Sequence, residues 1–224
     1  MRTEILDKRL QAVASMVRHG SRLADIGTDH AYLPTALVMQ GVCPSAIASD
    51  VRQGPLESAK HTVETYQLEH LISLRLGNGL ETIKPHEADD IVIAGMGGET
   101  IAAILEAAPW VRSAAYRLVL QPMTRAEDLH VYLWNSGFAI EQEKTLHDGN
   151  HDYMIMTACF TGEKREFSVA QTYIGALHPR RDATYLQHVV NRLRRQAEGI
   201  RSSGDVGQAD YWQAVAEKIQ AYIV

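Results

Sequence analysis

The stretch Leu23–Pro34, LADIGTDHAYLP, limits what this chain can fold into more than any other segment. Small and apolar residues run up to Asp25-Ile26-Gly27, and a polar turn, Thr28-Asp29-His30, follows. Ala31-Tyr32-Leu33 then opens a helix with Pro34 in its first turn, where proline is tolerated because its missing amide would be unpaired anyway. Strand, tight turn and helix in this order form the first βα corner of a nucleotide-binding α/β sheet. Only the first glycine of the dinucleotide pattern G-x-G-x-x-G is present.

The charge of the turn narrows the ligand. A pyrophosphate would have to sit on the turn and the helix N-terminus, where Asp25 and Asp29 oppose it. A cofactor with a ribose and a cation, and no phosphate, has the opposite need. S-adenosylmethionine, with its sulfonium and the ammonium of its amino-acid end, fits. An ordinary βα turn with solvated acids is the competing reading. Ser45–Val51 is the next strand, and its Asp50 lies 25 positions after Asp25. That is near the spacing at which such folds place a carboxylate on ribose hydroxyls; a strand-end cap is the alternative.

With 224 residues, 46% of them hydrophobic, the chain has room for one α/β domain and an appendage. No apolar run approaches the ~20 residues of a membrane span, and no apolar signal core is present at the N-terminus. Cys43 and Cys159 have no metal-ligand spacing and read as reduced packing residues of a cytoplasmic protein. Neither a membrane nor a metal is expected as a partner, and a monomer is. Residues 1–162 carry 13 Lys/Arg against 20 Asp/Glu, whereas residues 163–201 carry 8 against 4. A smaller basic excess opens the chain, with Arg2, Lys8, Arg9, Arg18 and Arg22 against Glu4 and Asp7.

Leu6–Val17 has helical apolar spacing and presents Lys8 and Arg9 outward, as a solvated face or a binding face. A helix from Gly54 to about Glu69 leads to the strand Ile72–Leu76 and the turn Gly77-Asn78-Gly79-Leu80. That turn lets backbone approach a flat ring while Asn78 meets an adenine edge, or is a simple Asn-Gly turn. Asp90–Ala94 is apolar on both faces, the mark of a central strand. It runs into Gly95-Met96-Gly97-Gly98 and a helix, Thr100–Ala107. The strand Tyr116–Gln121 and a helix, Arg125–Asn135, follow. Phe138–Leu146 pairs with Tyr153–Phe160 across a polar turn, His147–Asp152, which reads as solvated rather than metal-binding. Thr161-Gly162 divides a catalytic domain, 1–162, from a C-terminal unit, 163–224. There Glu166–Leu177 is a connecting helix. Two amphipathic helices follow, with stripes Tyr185, Val189, Leu193, Gln196, Ile200 and Tyr211, Val215, Ile219, Tyr222, and form an antiparallel hairpin. Its arginines either solvate an exposed surface or bind RNA phosphates.

The ordered set DIGTDHAYLP, SDVRQGPLESA, LGNGLE, IAGMGGE and LVLQPM resembles the TrmK family of bacterial tRNA (adenine-22-N1)-methyltransferases, over roughly residues 5–160. The C-terminal hairpin matches the family's coiled-coil-like domain in kind. The resemblance implies a Rossmann-like class I methyltransferase sheet that uses S-adenosylmethionine to methylate N1 of an adenine in tRNA. It puts Asp25, Gly27, Thr28, Asp29 and His30 beside the methionine part, Asp50 on the ribose and Val51 beside the adenine. Gly77, Asn78, Gly79 and Leu80 border that adenine, and Ala94, Gly95 and Met96 lie between cofactor and target base. For the chemistry, Asp29 is the candidate to stabilise the methylated ring, with His30, Tyr32 and Met96 positioning the base. Lys8, Arg9, Arg180, Arg181, Arg192 and Arg195 are the candidate RNA contacts. The readings kept beside this one are methylation of another RNA base or of a small molecule, and a non-catalytic RNA-binding protein of the same fold.

Overall fold

The computed structural model describes residues 5–223. Seven strands form one sheet: β1 (Leu23–Ile26), β2 (Ala46–Asp50), β3 (Ile72–Leu76), β4 (Asp90–Gly97), β5 (Arg117–Thr124), β6 (Phe138–Asp148) and β7 (His151–Phe160). Their order is β3-β2-β1-β4-β5-β7-β6. The pairings from β3 through β5 are parallel, and those of β7 with β5 and β6 are antiparallel. The order reverses between β1 and β4, so a crevice opens at the carboxyl ends of these two strands, where sheets of this kind bind ligands.

Alternation along the strands divides the core into two faces. Ile91, Ile93, Leu118 and Leu120 pack on one side with helices α4 (Gly98–Glu106) and α5 (Ala126–Asn135). Val92, Val119 and Ile155 pack on the other with α1 (Lys8–Ala14), α2 (Tyr32–Met39) and α3 (Gln53–Thr65). Helix α1 is shorter than the Leu6–Val17 pattern because the Asp7 carboxylate accepts the Leu10 amide and caps its start. Helix α3 stops at Thr65 rather than near Glu69; Gln67, at φ +57°, breaks the helical path.

The basic residues at the start of the chain are largely consumed by the sheet. Arg18 donates to the fully buried Asp90 at 2.7 Å, Arg22 donates to Asp89 at 2.8 Å, and Lys8 pairs with Asp148 at 2.7 Å. Arg2 and Glu4 lie outside the described residues.

The expected six-residue turn His147–Asp152 is corrected to the two residues Gly149-Asn150. His147 pairs with Asp152 and Asp148 with His151, so β6 and β7 run on to the tip. Nor is the tip simply solvated. The Asp152 carboxylate bridges Nδ1 of His147, at 2.7 Å, and Nδ1 of His188 on the first hairpin helix.

Beyond the sheet, α6 (Val169–Ile174) is half the expected length. A Ser168–Gln171 capping box starts it and Gly175, at φ +59°, ends it. Helices α7 (Ala183–Ser202) and α8 (Val206–Ile223) form the antiparallel hairpin. Its buried stripe is Leu186, Val189, Val190, Leu193 and Ala197 on one arm and Ala209, Val215, Ala216 and Ile219 on the other. Gln196, Tyr211 and Tyr222, expected in the stripe, are exposed, and Ala197 and Trp212 take the inward positions. Leu186, Val189, Val190, Leu193, Val215, Ala216 and Ile219 share one apolar cluster with β4, β5 and β7. Among the described residues, no helix is long and apolar enough to cross a membrane, and no group of three or more His, Cys, Asp or Glu is placed to hold a metal ion.

Candidate cofactor and substrate site

The turn after β1 is held by two amides on one carbonyl: Gly27 and Thr28 both donate to the Ser49 oxygen, at 2.8 and 2.9 Å. Gly27 lies at φ +77°, and Asp29 and Ala31 also occupy the left-handed region at φ +41° and +55°. Two non-glycine residues in that region within three positions store backbone strain, a feature that gathers at ligand sites. A Cβ on Gly27 would lie 2.1 Å from the Met96 methyl, so that side chain rests on bare backbone.

Around this turn the crevice encloses about 750 Å³. Gly27, Ala94, Gly95 and Met96 line it from β1 and β4, Asp50 and Val51 from the end of β2, and Gly77, Asn78, Gly79 and Leu80 from the loop after β3. Helix α4 adds Thr100, Ala103 and Ile104. The Asp50 carboxylate is buried; its Oδ1 accepts the Arg52 amide at 2.8 Å, and Oδ2 has no protein donor among the described residues. Val51 beside it is 60% exposed, an apolar surface open to a ring.

A second hollow of about 240 Å³ shares Arg9, Gly27, Asp29 and Ala94 with the first and adds Asp25, Thr28, His30 and Tyr32. Burial pushes the Asp25 carboxyl up to about 6; the Thr28 hydroxyl, donating at 2.6 Å, and the Arg9 charge pull it down, and Asp50 pushes it further up. Asp29 is largely exposed, with His30 Nε2 at 3.5 Å. The His30 and Tyr32 rings stack at 5.1 Å and 10°. All fourteen residues expected around the cofactor thus line these two adjoining hollows, as does Tyr32.

Arg9 is where sequence reasoning fails. Instead of facing outward with Lys8, it is half-buried and donates from Nη1 to Gln121 Oε1 at 2.8 Å. Gln121 is fully buried within β5; the same Oε1 accepts the Gly95 amide at 3.1 Å, and its Nε2 donates to the Pro122 carbonyl. Gln121 was missed as a site residue. Its only signal is an amide ending an apolar strand just before a proline. The β4–α4 junction beyond it is packed just as closely against the residue before α5: a Cβ on Gly98 would lie 2.1 Å from the Arg125 carbonyl oxygen.

The hairpin arginines separate. Arg192 and Arg195 line a groove of about 310 Å³ with His188, with Asn150 and His151 from the β6–β7 tip, and with Met123 and Arg125 from the β5–α5 corner. Arg180 is exposed outside it, and Arg181 bonds Asp182 and the Glu143 carbonyl. Neither contributes to the groove.

A seven-stranded sheet with this order, and a glycine-floored, acid-lined crevice at its switch point, define a methyltransferase domain. The chain matches the family described as "Methyltransferase domain" over residues 6–156. It is 44% identical over 153 residues to a tRNA (adenine(22)-N(1))-methyltransferase of Bacillus subtilis, a match covering 68% of this chain and 64% of that protein, so slightly under two thirds of the relative's length. The crystal structure of the B. subtilis M1A22 tRNA methyltransferase TrmK superimposes with a TM-score of 0.83 at 33% identity, covering 98% of this chain and 99% of that one. The structure of M. capricolum TrmK with S-adenosyl-homocysteine gives 0.83 at 26% identity, with 98% of each chain covered. The chain belongs to the TrmK family.

Proposed function

We propose that this protein transfers a methyl group from S-adenosylmethionine to N1 of adenine 22 in tRNA. The observation that carries the reading is the crevice itself: acids and bare glycine backbone at the switch point, with no lysine-bearing phosphate loop. The residues present fit the cofactor. Asp50 is buried with an oxygen free to accept from ribose hydroxyls, Val51 offers an apolar face to the adenine, and Asp25 and Asp29 suit a cationic ligand.

S-adenosylmethionine supplies a methyl group made electrophilic by its sulfonium. Adenine N1 carries an in-plane lone pair and loses no proton before it attacks, so the protein's task is alignment more than general-base catalysis. Met96 rests on the bare backbone of Gly27 between the two hollows, and Gln121 on β5 holds the Gly95 amide at the carboxyl end of β4. The His30–Tyr32 stack borders the hollow as a platform for the target base. Methylation leaves the ring cationic, and Asp29 provides the countercharge. Drawing an adenine out of folded tRNA costs a few kcal/mol, which phosphate contacts in the hairpin groove offset.

Methyl transfer from labelled donor to unmodified tRNA, followed by mapping of the modified base, tests the reading. Label at N1 of adenine 22 is the expected result. Label on another base, or none despite donor binding, counts against it. Because the hairpin shares its core with the sheet, its role is better tested by surface substitution than by truncation. Arg192→Ala with Arg195→Ala is expected to weaken tRNA binding about tenfold and to reduce the slope of log K against log salt by about 1 per lost phosphate contact. Donor affinity should stay the same. Filter binding at several salt concentrations checks it, and an unaltered slope would remove the groove from the RNA path.

A further inference from the structure

We propose that Gln121 is a positioning residue for methyl transfer, holding the crevice and the hairpin groove at a fixed spacing. The inference rests on the tRNA methylation reading and adds a residue to it. Gln121 follows Leu118, Val119 and Leu120 on β5, and like them it is fully buried. A buried amide is costly unless its polar atoms are paired. Both ends of this one are. Its Oε1 accepts from Arg9 Nη1 at 2.8 Å and from the Gly95 amide at 3.1 Å. Its Nε2 donates to the Pro122 carbonyl at 3.0 Å and reaches Met123 Sδ at 3.6 Å. The side chain lines neither the two hollows nor the groove, so it acts through these neighbours.

The register of β4 and β5 shows what these bonds hold. Ala94 pairs with Gln121, Met96 with Pro122 and Gly97 with Thr124. Gly95 is therefore an extra residue on β4, and Met123 an extra residue on β5, two bulges on opposite strands. Pro122 has no amide to donate across the ladder. Gly95, at φ +80°, finds its acceptor in the Gln121 side chain instead. Gly95 lines the crevice, and Met123, 47% exposed, lines the groove that holds Arg192 and Arg195. One buried amide thus touches the extra residue of each strand, the first facing the donor site and the second the RNA path. Arg9 braces the same oxygen from α1. A residue that only filled the core would need no polar atoms here.

Gln121→Met keeps the volume and removes the bonds. Its single-turnover rate at saturating donor and tRNA is expected to fall about tenfold or more, since a misplacement of about 1 Å can cost about 100-fold. The Kd for S-adenosylhomocysteine and the Kd for tRNA should each change by less than about threefold, because each ligand keeps its own wall and only their alignment is lost. Gln121→Glu, which keeps an acceptor for Gly95 and Arg9, should recover part of the rate. An unchanged rate for Gln121→Met overturns the proposal. So does a rate loss matched by an equal loss in either affinity, which would make the residue purely structural, or a Gln121→Glu variant as slow as Gln121→Met. A measurement on wild-type protein covers misfolding. Bonded to a buried oxygen, the Gly95 amide should exchange its hydrogen with solvent about 100-fold or more slowly than a free amide, and unprotected exchange overturns the proposal. Wild-type protein that binds S-adenosylhomocysteine but methylates no tRNA would instead sink the tRNA reading, and this inference with it.

Discussion

Asp29→Ala is expected to lower kcat for methyl transfer by about 100-fold, the size of effect seen when one group aimed at developing charge is removed. The Kd for S-adenosylmethionine should change by less than about fivefold, because Asp29 is exposed in the free protein and an exposed charge contributes little to binding. The asymmetry follows from the proposed reaction. Positive charge leaves the donor and appears on the adenine ring, so a carboxylate reached by both hollows gains most once the methyl has begun to move. The backbone supports the assignment. Asp29 stands at φ +41°, a conformation with a cost of about 1–3 kcal/mol for a non-glycine residue, in a turn pinned by two amides on Ser49. Asp29→Asn, which keeps an acceptor and loses the charge, should fall between wild type and alanine. Single-turnover rates at saturating donor read the difference, and an unchanged rate for Asp29→Ala would end the assignment.

His130→Ala is expected to cost about 3–5 kcal/mol of folding stability, since removing one member of a buried ion pair strands the other. His130 is fully buried on α5 and Glu143 nearly so on β6. The imidazole bonds the Glu143 carboxylate through Nε2 and the Thr172 carbonyl of α6 through Nδ1, and the Ala176 amide donates to the other Glu143 oxygen. Trp134 stacks on the imidazole at 5.3 Å, and the Arg165 guanidinium lies 4.3 Å from that indole. Gly175 passes so close that a Cβ would fall 2.1 Å from the carboxylate. This cluster joins the sheet to the segment that leads into the hairpin.

The pH dependence has a definite sign. Burial works against the imidazolium, but the charge and hydrogen bond of Glu143, with the Thr172 carbonyl, outweigh it and raise the pKa of His130. A raised imidazole contributes stability that is complete below its unfolded value of about 6.5 and disappears as pH rises through the folded value. Urea unfolding of the wild type across that range should show stability falling with pH, and His130→Gln should flatten the fall. A wild type as stable as His130→Ala at pH 6 would contradict the account.

Much of the crevice was legible because its requirements are local. A turn needing left-handed backbone calls for Gly27, and a cationic ligand calls for acids beside it. A strand leaving a buried sheet centre is a run of Ile and Val that must end where the ligand begins. Each of these is decided within a few residues. The hairpin helices were legible by period for the same reason, although Gln196, Tyr211 and Tyr222 turned outward once the arms packed on the sheet and not only on each other.

What the amino-acid order determined by itself is therefore the succession of strands, glycine turns and helices, and the presence of acids at the ends of β1 and β2. The tertiary structure alone decided the partners of the long polar side chains. It put Arg18 on Asp90, Arg9 on Gln121 and His130 on Glu143, pairs separated by 72, 112 and 13 positions. Period and turn chemistry act along the chain over one or two turns of backbone. The partner of a buried charge is set by which surfaces meet when sheet and helices close, because only there is water excluded and an unpaired ion intolerable.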